Sequence, residues 1–299
     1  MYKIIQKRRI WFIISAIIII PGILAIALGG LKLGIDFTGG SLMRVSFKSG
    51  NVPALSEVKY LINEELMDDN IRVQPLDDDE ITIRLPDIDN ETHVRVTSKL
   101  QEYYPDSSEQ SFESIGPTIG RELRDKAIIA VIVVLIFIII YISIAFRKVS
   151  GGAVKSWVYG LGALVALFHD ILIVVGIFAI MGKLFNIEID ILFITALLTV
   201  LGFSVHDTIV VYDRVRERLK SSYNETFEIT VNHSVNQTLI RSLNTSFTTL
   251  LVLLALYLFG GQSIQLFVLA LIIGIVAGTY SSVFIASPFL VVWHKFSNK

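Results

Sequence analysis

Long apolar runs separated by short charged stretches dominate the chain. Six runs approach or exceed the ~20 residues a helix needs to cross a bilayer: residues 10–28, 127–146, 157–181, 191–212, 243–259 and 264–292. The second run carries no charge, the third is interrupted by His169 and Asp170, and the fourth holds His206 and Asp207. This pattern predicts a six-helix, multi-pass membrane protein.

Between the first and second runs the periodicity changes. "GSLMRVSF" sets Met43, Val45 and Phe47 on one side, as a half-buried strand does. "PALSEVKYLINEELM" spaces Leu55, Val58, Ile62 and Leu66 along one helical face. "IRVQPL" and "EITIRLP" read as short strands around an acidic turn at 77–79. "ETHVRVTSKLQEYY" predicts a helix with Val94, Thr97, Leu100 and Tyr104 on its inner face, and "EQSFESI" returns as a strand. The order is βαββαβ, the split arrangement of ferredoxin-like domains. The expected fold class is therefore an α-helical membrane protein with an α+β ferredoxin-like extracytoplasmic domain. Its divisions are a cytoplasmic N-terminus with the first transmembrane helix (1–30), the extracytoplasmic domain (31–124), transmembrane helices two to six (125–293) and a cytoplasmic tail (294–299).

Basic residues in short loops set the orientation. Lys3, Lys7, Arg8 and Arg9 precede the first span; Arg147, Lys148 and Lys155 follow the second. Arg214, Arg216, Arg218, Lys220 and Arg241 lie around the loop between the fourth and fifth spans, and Lys295 and Lys299 end the chain. The alternate loops hold Lys183 or no cation, so both termini are expected in the cytoplasm. The basic start, the apolar core and Ala25-Ile26-Ala27 also fit a cleavable signal peptide. The first run is longer than the usual ~7–15-residue signal core, which favours an uncleaved anchor.

Composition strengthens the membrane assignment and narrows the chemistry. Of 299 residues, 53% are apolar, and the mean hydropathy is +0.64. A net charge of -1 gives no indication of a nucleic-acid partner, and the absence of cysteine excludes disulfides and thiol chemistry. The five histidines are scattered.

Asp207 is the sharpest candidate. It stands five residues before Tyr212, ~8 Å from the expected end of the span. A charge at a helix centre costs ~2.5–3.5 kcal/mol on insertion scales, so an acid here is a functional candidate by default. The plainer alternative is that it merely opens a cytosolic helix. Thr195, Thr199, Gly202 and His206 form a polar seam, with Thr199, Phe203 and Asp207 in the adjoining row. In the fifth span Ser234, Thr238, Arg241, Thr245 and Thr248 form another. Opposed seams would bring Asp207 and Arg241 together or join them through water; alternatively, Arg241 snorkels to the headgroups. An acid balanced between burial and a guanidinium gains or loses a proton as its partner moves. Its chemistry would then be protonation alone, driven by ~2.3 kcal/mol per 100 mV per proton.

Secondary candidates leave alternatives open. His169 and Asp170 suit either a proton relay or a packing contact. His206 has an ordinary pKa fit for proton passage, although a neutral, hydrogen-bonded ring is the commoner fate. "LFHDILIVVG" and "SVHDTIVVYD" echo each other, by duplication or by chance. "DRVRERLK" reads as a cytosolic helix resting on anionic headgroups. In "GIDFTGG", Gly39 and Gly40 permit unusual backbone angles, and Asp36 caps or braces the turn. No metal site or phosphate loop is expected.

"LGIDFTGGSL", "SIGPTIGRELRDKA", "FHD", "GFSVHDTIVVYDRVRE" and "QTLIRSLNTSFTTLL" together resemble the SecF side of the SecD/SecF protein-export family, over nearly the whole chain. The resemblance implies a role in the resistance-nodulation-division superfamily, with SecD beside the SecY/SecE/SecG channel. There it would use the proton-motive force to draw unfolded exported polypeptides across the cytoplasmic membrane of a bacterium or archaeon. It implies no enzymatic activity and no cofactor beyond protons as the coupling ion. It also assigns Asp207 and Arg241 as the proton-coupling pair and an engaging movement to the outer domain. His206 departs from the family pattern, which more often has Asn. Two other readings are a proton-coupled exporter of small molecules and an intramembrane aspartyl protease using Asp170 and Asp207. Six spans with one small domain argue against the first. The absence of Gly-x-Gly-Asp and the different depths expected for the two acids argue against the second.

Overall fold

Arg8–Gly29 form the first helix, α1, entered through a 3₁₀ turn at Ile5–Lys7. A computed structural model of the chain describes residues 2–48, 52–68, 70–76, 79–147, 154–221 and 225–297. Asp77 and Asp78 of the expected acidic turn, together with Lys148 and Lys299, lie outside the described residues. Contacts divide the chain into one unit of residues 1–32 and 128–299 and a second of residues 33–127.

In the second unit a short helix, α2 (Ile35–Thr38), leads into β1 (Gly40–Phe47). Then come α3 (Leu55–Leu66), β2 (Arg72–Pro75), β3 (Glu80–Leu85), α4 (Asn90–Tyr103) and β4 (Ser107–Ile115). The strands pair antiparallel in the order β2-β3-β1-β4. Met43, Val45 and Phe47 of β1 and Ile81, Ile83 and Leu85 of β3 pack against Val58, Leu61, Ile62, Val96 and Leu100 of the helices. The inner face of α4 differs from its predicted row. Val94 is exposed and Val96 is buried, while His93 stacks on Phe112 at 3.8 Å. Val96 and Leu100 share a face at four-residue spacing, and the neighbouring His93 and Thr97 both bond Glu109 on β4, which fixes that rotation of the helix.

The glycine pair explains the entry into β1. Gly39 has φ +76° and Gly40 φ +117°, in the left-handed range that disfavours a Cβ. A Cβ on Gly39 would lie 2.7 Å from Pro117 Cα, and one on Gly40 would lie 2.8 Å from the Leu85 carbonyl oxygen. Asp36 sits half-buried in the first turn of α2.

The remaining helices are α5 (Pro117–Ala145), α6 (Ser156–Phe185), α7 (Ile191–Ser221), α8 (Phe227–Phe259), α9 (Gln262–Ser281) and α10 (Ser287–Ser297). Among the described residues, six helical segments are long and apolar enough to cross a membrane. Each expected span has its helix, but three helices outrun their apolar runs. α5 starts ten residues early, at Pro117, a first-turn position that suits proline. α7 continues to Ser221, and α8 begins at Phe227. Charged residues extend a helix where backbone hydrogen bonding continues beyond the apolar zone. The sixth span is not uniform: a π-helical turn at Ser282–Ala286 separates α9 from α10. Tyr212 donates to the Ala286 carbonyl at 3.1 Å and Ser287 Oγ to the Ser282 carbonyl at 2.9 Å, satisfying acceptors in this turn.

Half or more of the apolar stretch is buried in α6, α7 and the last span, whereas α1, α5 and α8 expose most of theirs. Small residues bring the central helices close. A Cβ on Gly22 of α1 would meet Gly176 Cα of α6 at 2.7 Å, and one on Gly278 of α9 would meet Ser204 Cβ of α7 at 2.8 Å.

Candidate functional site: two buried carboxylates

The face α7 buries runs through Leu197, Val200, Leu201, Ser204, Asp207, Thr208 and Val211, at three- and four-residue steps. Close approach of α7 to Gly274 and Gly278 of α9 aims Ser204 and Asp207 inward. Ser204 Oγ donates to Asp170 Oδ2 of α6 at 2.5 Å, and Ser281 Oγ of α9 donates to the same oxygen at 2.8 Å. His169 Nδ1 lies 3.0 Å from Asp170 Oδ1. Asp170 is wholly buried, with three polar partners in place of water. Beyond it, His169 Nε2 is 3.0 Å from Ser15 Oγ of α1, Ser15 is 3.2 Å from the Tyr280 hydroxyl, and Tyr280 donates to the Trp11 carbonyl at 2.7 Å. Residue type and spacing mark His169 and Asp170 but not their partners. Ser15, Ser204, Tyr280 and Ser281 escaped notice because a lone hydroxyl in an apolar run has no period; hydroxyls in apolar spans were the only signal.

Asp207 is also buried but less well supplied. Ser282 Oγ lies 3.4 Å from Asp207 Oδ2 and also 3.1 Å from the Thr279 carbonyl. Ser242 of α8 stands beside Asp207, yet its buried hydroxyl has no hydrogen bond of standard geometry among the described residues. Ser281 and Ser282 are adjacent, and Ser204 and Asp207 are one turn apart on α7. The two acids therefore lie within about one helical turn of each other in depth, ~5 Å. Residue counting separated them further because it ended the fourth span at Tyr212, which is itself fully buried.

The predicted seams do not meet. Thr195, Thr199, Gly202 and His206 are exposed on α7, and Arg241, Thr245 and Thr248 are exposed on α8. Thr195, Thr199 and Thr245 return their hydroxyls to carbonyls of their own helices. The inward stripe of α8 keeps Ser234 and Thr238 of the predicted seam but continues through Ser242 and Ser246, at strict four-residue spacing. Its hydroxyls are small enough for close packing, and Ser246 Oγ meets Thr279 Oγ1 at 2.5 Å. Arg241 is near enough for its charge to act on Asp207, but forms no ion pair within 4.0 Å among the described residues. The two His-Asp echoes also part company. Both acids point inward, while His169 is buried and His206 exposed.

The basic helix end is largely neutralised. Arg214 pairs with Glu217, Arg216 with Asp213 at 3.5 Å, and Arg218 with Glu225 at 2.7 Å. The hydrogen bond from Arg218, opposed by partial desolvation, holds Glu225 below the usual carboxylate range. Less charge is thus free to attract anionic headgroups than the sequence alone suggests. Among the described residues, no cluster of three acidic or histidine side chains is placed to hold a metal.

Fold and site define a multi-pass membrane protein whose central helices enclose two neighbouring carboxylates in a network of hydroxyls. The pattern described as "Protein export membrane protein SecD/SecF, C-terminal" matches residues 95–296, and the SecD/SecF GG motif matches residues 25–50. The chain belongs to the SecD/SecF family. It is 45% identical to protein translocase subunit SecF of Thermobaculum terrenum, over 99% of this chain and 95% of that one. Identity to the protein of the same name from Anaerolinea thermophila is 42%, with the same coverages. A crystal structure of SecDF, a translocon-associated membrane protein from Thermus thermophilus, superposes with a TM-score of 0.86 at 31% identity. The match covers 100% of this chain and 39% of that longer one.

Proposed function

We infer that the chain is an auxiliary subunit of the Sec protein translocase. With a SecD-type partner beside a SecY/SecE/SecG channel, it uses the proton-motive force to help unfolded polypeptides across a bacterial cytoplasmic membrane. Asp207 is the group that gains and loses the proton, and Arg241 is the cation against which its charge is balanced. The observation carrying this reading is a buried carboxylate on a central spanning helix, with one long hydrogen bond from Ser282 and the Ser242 hydroxyl beside it. Such a group has few fixed donors for its charged form. His206 and Thr245 serve this pair as relay or packing residues, and no covalent chemistry is involved.

The exposed polar faces of α7 and α8 support the partner. Threonines, His206 and Arg241 facing lipid would be costly, whereas a second bundle with polar groups of its own would cover them. Both termini are cytoplasmic on this reading. Residues 31–124 form a ferredoxin-like extracytoplasmic domain, a reading supported by the βαββαβ order and antiparallel sheet. The membrane helices occupy 1–30 and 125–293, with a cytoplasmic tail at 294–299, and Asp36, Gly39 and Gly40 hold the turn into the domain. The test is Asp207→Asn in membranes depleted of the native subunit. The variant should insert and associate normally but lose stimulation of export by the proton-motive force. Full stimulation in this variant refutes the role.

A further inference from the structure

The hydrogen bonds around His169 fix where its protons must lie. A backbone carbonyl can only accept, so Tyr280 donates its one hydroxyl proton to Trp11. Ser15, 3.2 Å away, must then donate to the Tyr280 oxygen. With its proton so committed, Ser15 faces His169 Nε2 as an acceptor, and Nε2 must carry a hydrogen. On the other side of the ring, Nδ1 stands 3.0 Å from Asp170 Oδ1. A neutral ring protonated at Nε2 has a bare Nδ1, which a bare carboxylate oxygen would repel. One additional proton therefore lies between them, either on Nδ1 of an imidazolium facing a carboxylate or on Oδ1 of a carboxylic acid facing a neutral ring. Both states have the same net charge, and the proton passes from one to the other along one hydrogen bond. Ser204 and Ser281 both donate to the other oxygen, Oδ2, leaving Oδ1 for this proton.

Ser281 and Ser282, consecutive in the chain, each reach one of the two acids. Ser281 has two acceptors, Asp170 Oδ2 at 2.8 Å and the Gly278 carbonyl at 3.2 Å. Ser282 also has two, Asp207 Oδ2 at 3.4 Å and the Thr279 carbonyl at 3.1 Å. Each hydroxyl owns one proton, so the charge on each acid decides which acceptor it serves. The two serines sit at the head of the π-helical turn, a feature frequent at functional sites.

We propose that His169 and Asp170 form a second proton-holding site, linked to Asp207 through Ser281 and Ser282, so that coupling involves two communicating groups. The link to Asp207 rests on the proton-coupling role inferred above; the proton count at His169 does not. The titratable groups facing the pair are Tyr280 from α9, whose ring stacks on His169 at 5.7 Å, and Asp207 through the serines. Ser15 and Ser204 face it from α1 and α7. Those facing Asp207 are Arg241 from α8 and His206 on its own helix.

The test is nitrogen NMR of the full-length chain in lipid vesicles, labelled at histidine, with the His169 signals identified by their loss in His169→Gln. Nε2 should be protonated throughout, and Nδ1 should report a shared proton. Ser281→Ala and Asp207→Asn should each shift the Nδ1 signal, although neither side chain touches the ring; Ser281→Thr should restore it. A neutral ring with its proton on Nδ1 and a bare Nε2 overturns the proton-holding site, since that is how a simple packing histidine would donate to a fixed carboxylate. An Nδ1 signal indifferent to Ser281→Ala and Asp207→Asn overturns the link. Normal export by Asp207→Asn overturns the coupling role instead, and with it the link, while leaving the proton-holding site standing on the NMR result. If His169→Gln fails to fold, His169→Asn supplies the assignment.

Discussion

Ser204→Ala should show how strongly the buried hub depends on its donors. Ser204 is fully buried, and its hydroxyl lies 2.5 Å from Asp170 Oδ2. The alanine keeps the Cβ that packs on Gly278, so close approach of α7 and α9 survives and one oxygen is lost. Two magnitudes compete. Hydrogen bonds between neutral groups inside membrane proteins average ~0.6 kcal/mol and reach ~1.7 kcal/mol. Bonds to a charged group contribute ~1.5–3 kcal/mol. Asp170 is wholly buried and its Oδ2 depends on two hydroxyls; with the shared proton on His169 the acid is a carboxylate, and losing one donor falls in the second range, at about 2 kcal/mol. Ser282→Ala should cost less, because its bond to Asp207 is 3.4 Å long and its hydroxyl has a carbonyl alternative. The assay is equilibrium unfolding of the full-length protein in mixed micelles, run as a double-mutant cycle with Asp170→Asn. A coupling energy of about 1 kcal/mol or more is expected. Additivity within ~0.3–0.5 kcal/mol, the range found for independent sites, would refute the hub.

Two further predictions concern the unit of residues 33–127. Gly40→Ala places a Cβ 2.8 Å from the Leu85 carbonyl oxygen at φ +117°, and strain of ~1–3 kcal/mol should make residues 33–127 more sensitive to limited proteolysis. An unchanged cleavage rate contradicts the close approach. Asp89 caps α4 by accepting from the Thr92 amide at 2.9 Å, and hydrogen bonding from Thr92 holds its carboxyl below the ordinary value of 3.8. Its stabilising effect is therefore complete above that value and disappears as pH falls through the lower, folded-state value. Hydrogen-exchange protection of the Thr92 amide should follow this course in the native chain and lose that pH dependence in Asp89→Ala.

Asp207 shows how far residue spacing reaches. Its place in an apolar run marks it from sequence alone, because ionisable groups in such runs are expensive wherever they point. Which neighbours it meets depends on helix rotation, and one residue turns the face by ~100°. His206 and Asp207 are consecutive, yet the first is exposed and the second buried. Likewise Arg241 stood out by charge, but the inward stripe of α8 is its modest serines and threonine. The strands of the unit at residues 33–127 were easier to read. Period-two alternation records burial directly, and Met43, Val45 and Phe47 lie in the core as that pattern requires.

Sequence alone determined the six apolar helices, the βαββαβ order, the need for glycine before β1 and the presence of acids in the spans. These features follow from local properties: run length, hydrophobic period, backbone freedom and the cost of charge in hydrocarbon. Tertiary structure decided which hydroxyls serve which acid, the near-equal depth of Asp170 and Asp207, and the π-helical turn that carries Ser282. Those depend on glycine-mediated contacts between helices distant in sequence, where small shifts in rotation or depth change every hydrogen-bond partner.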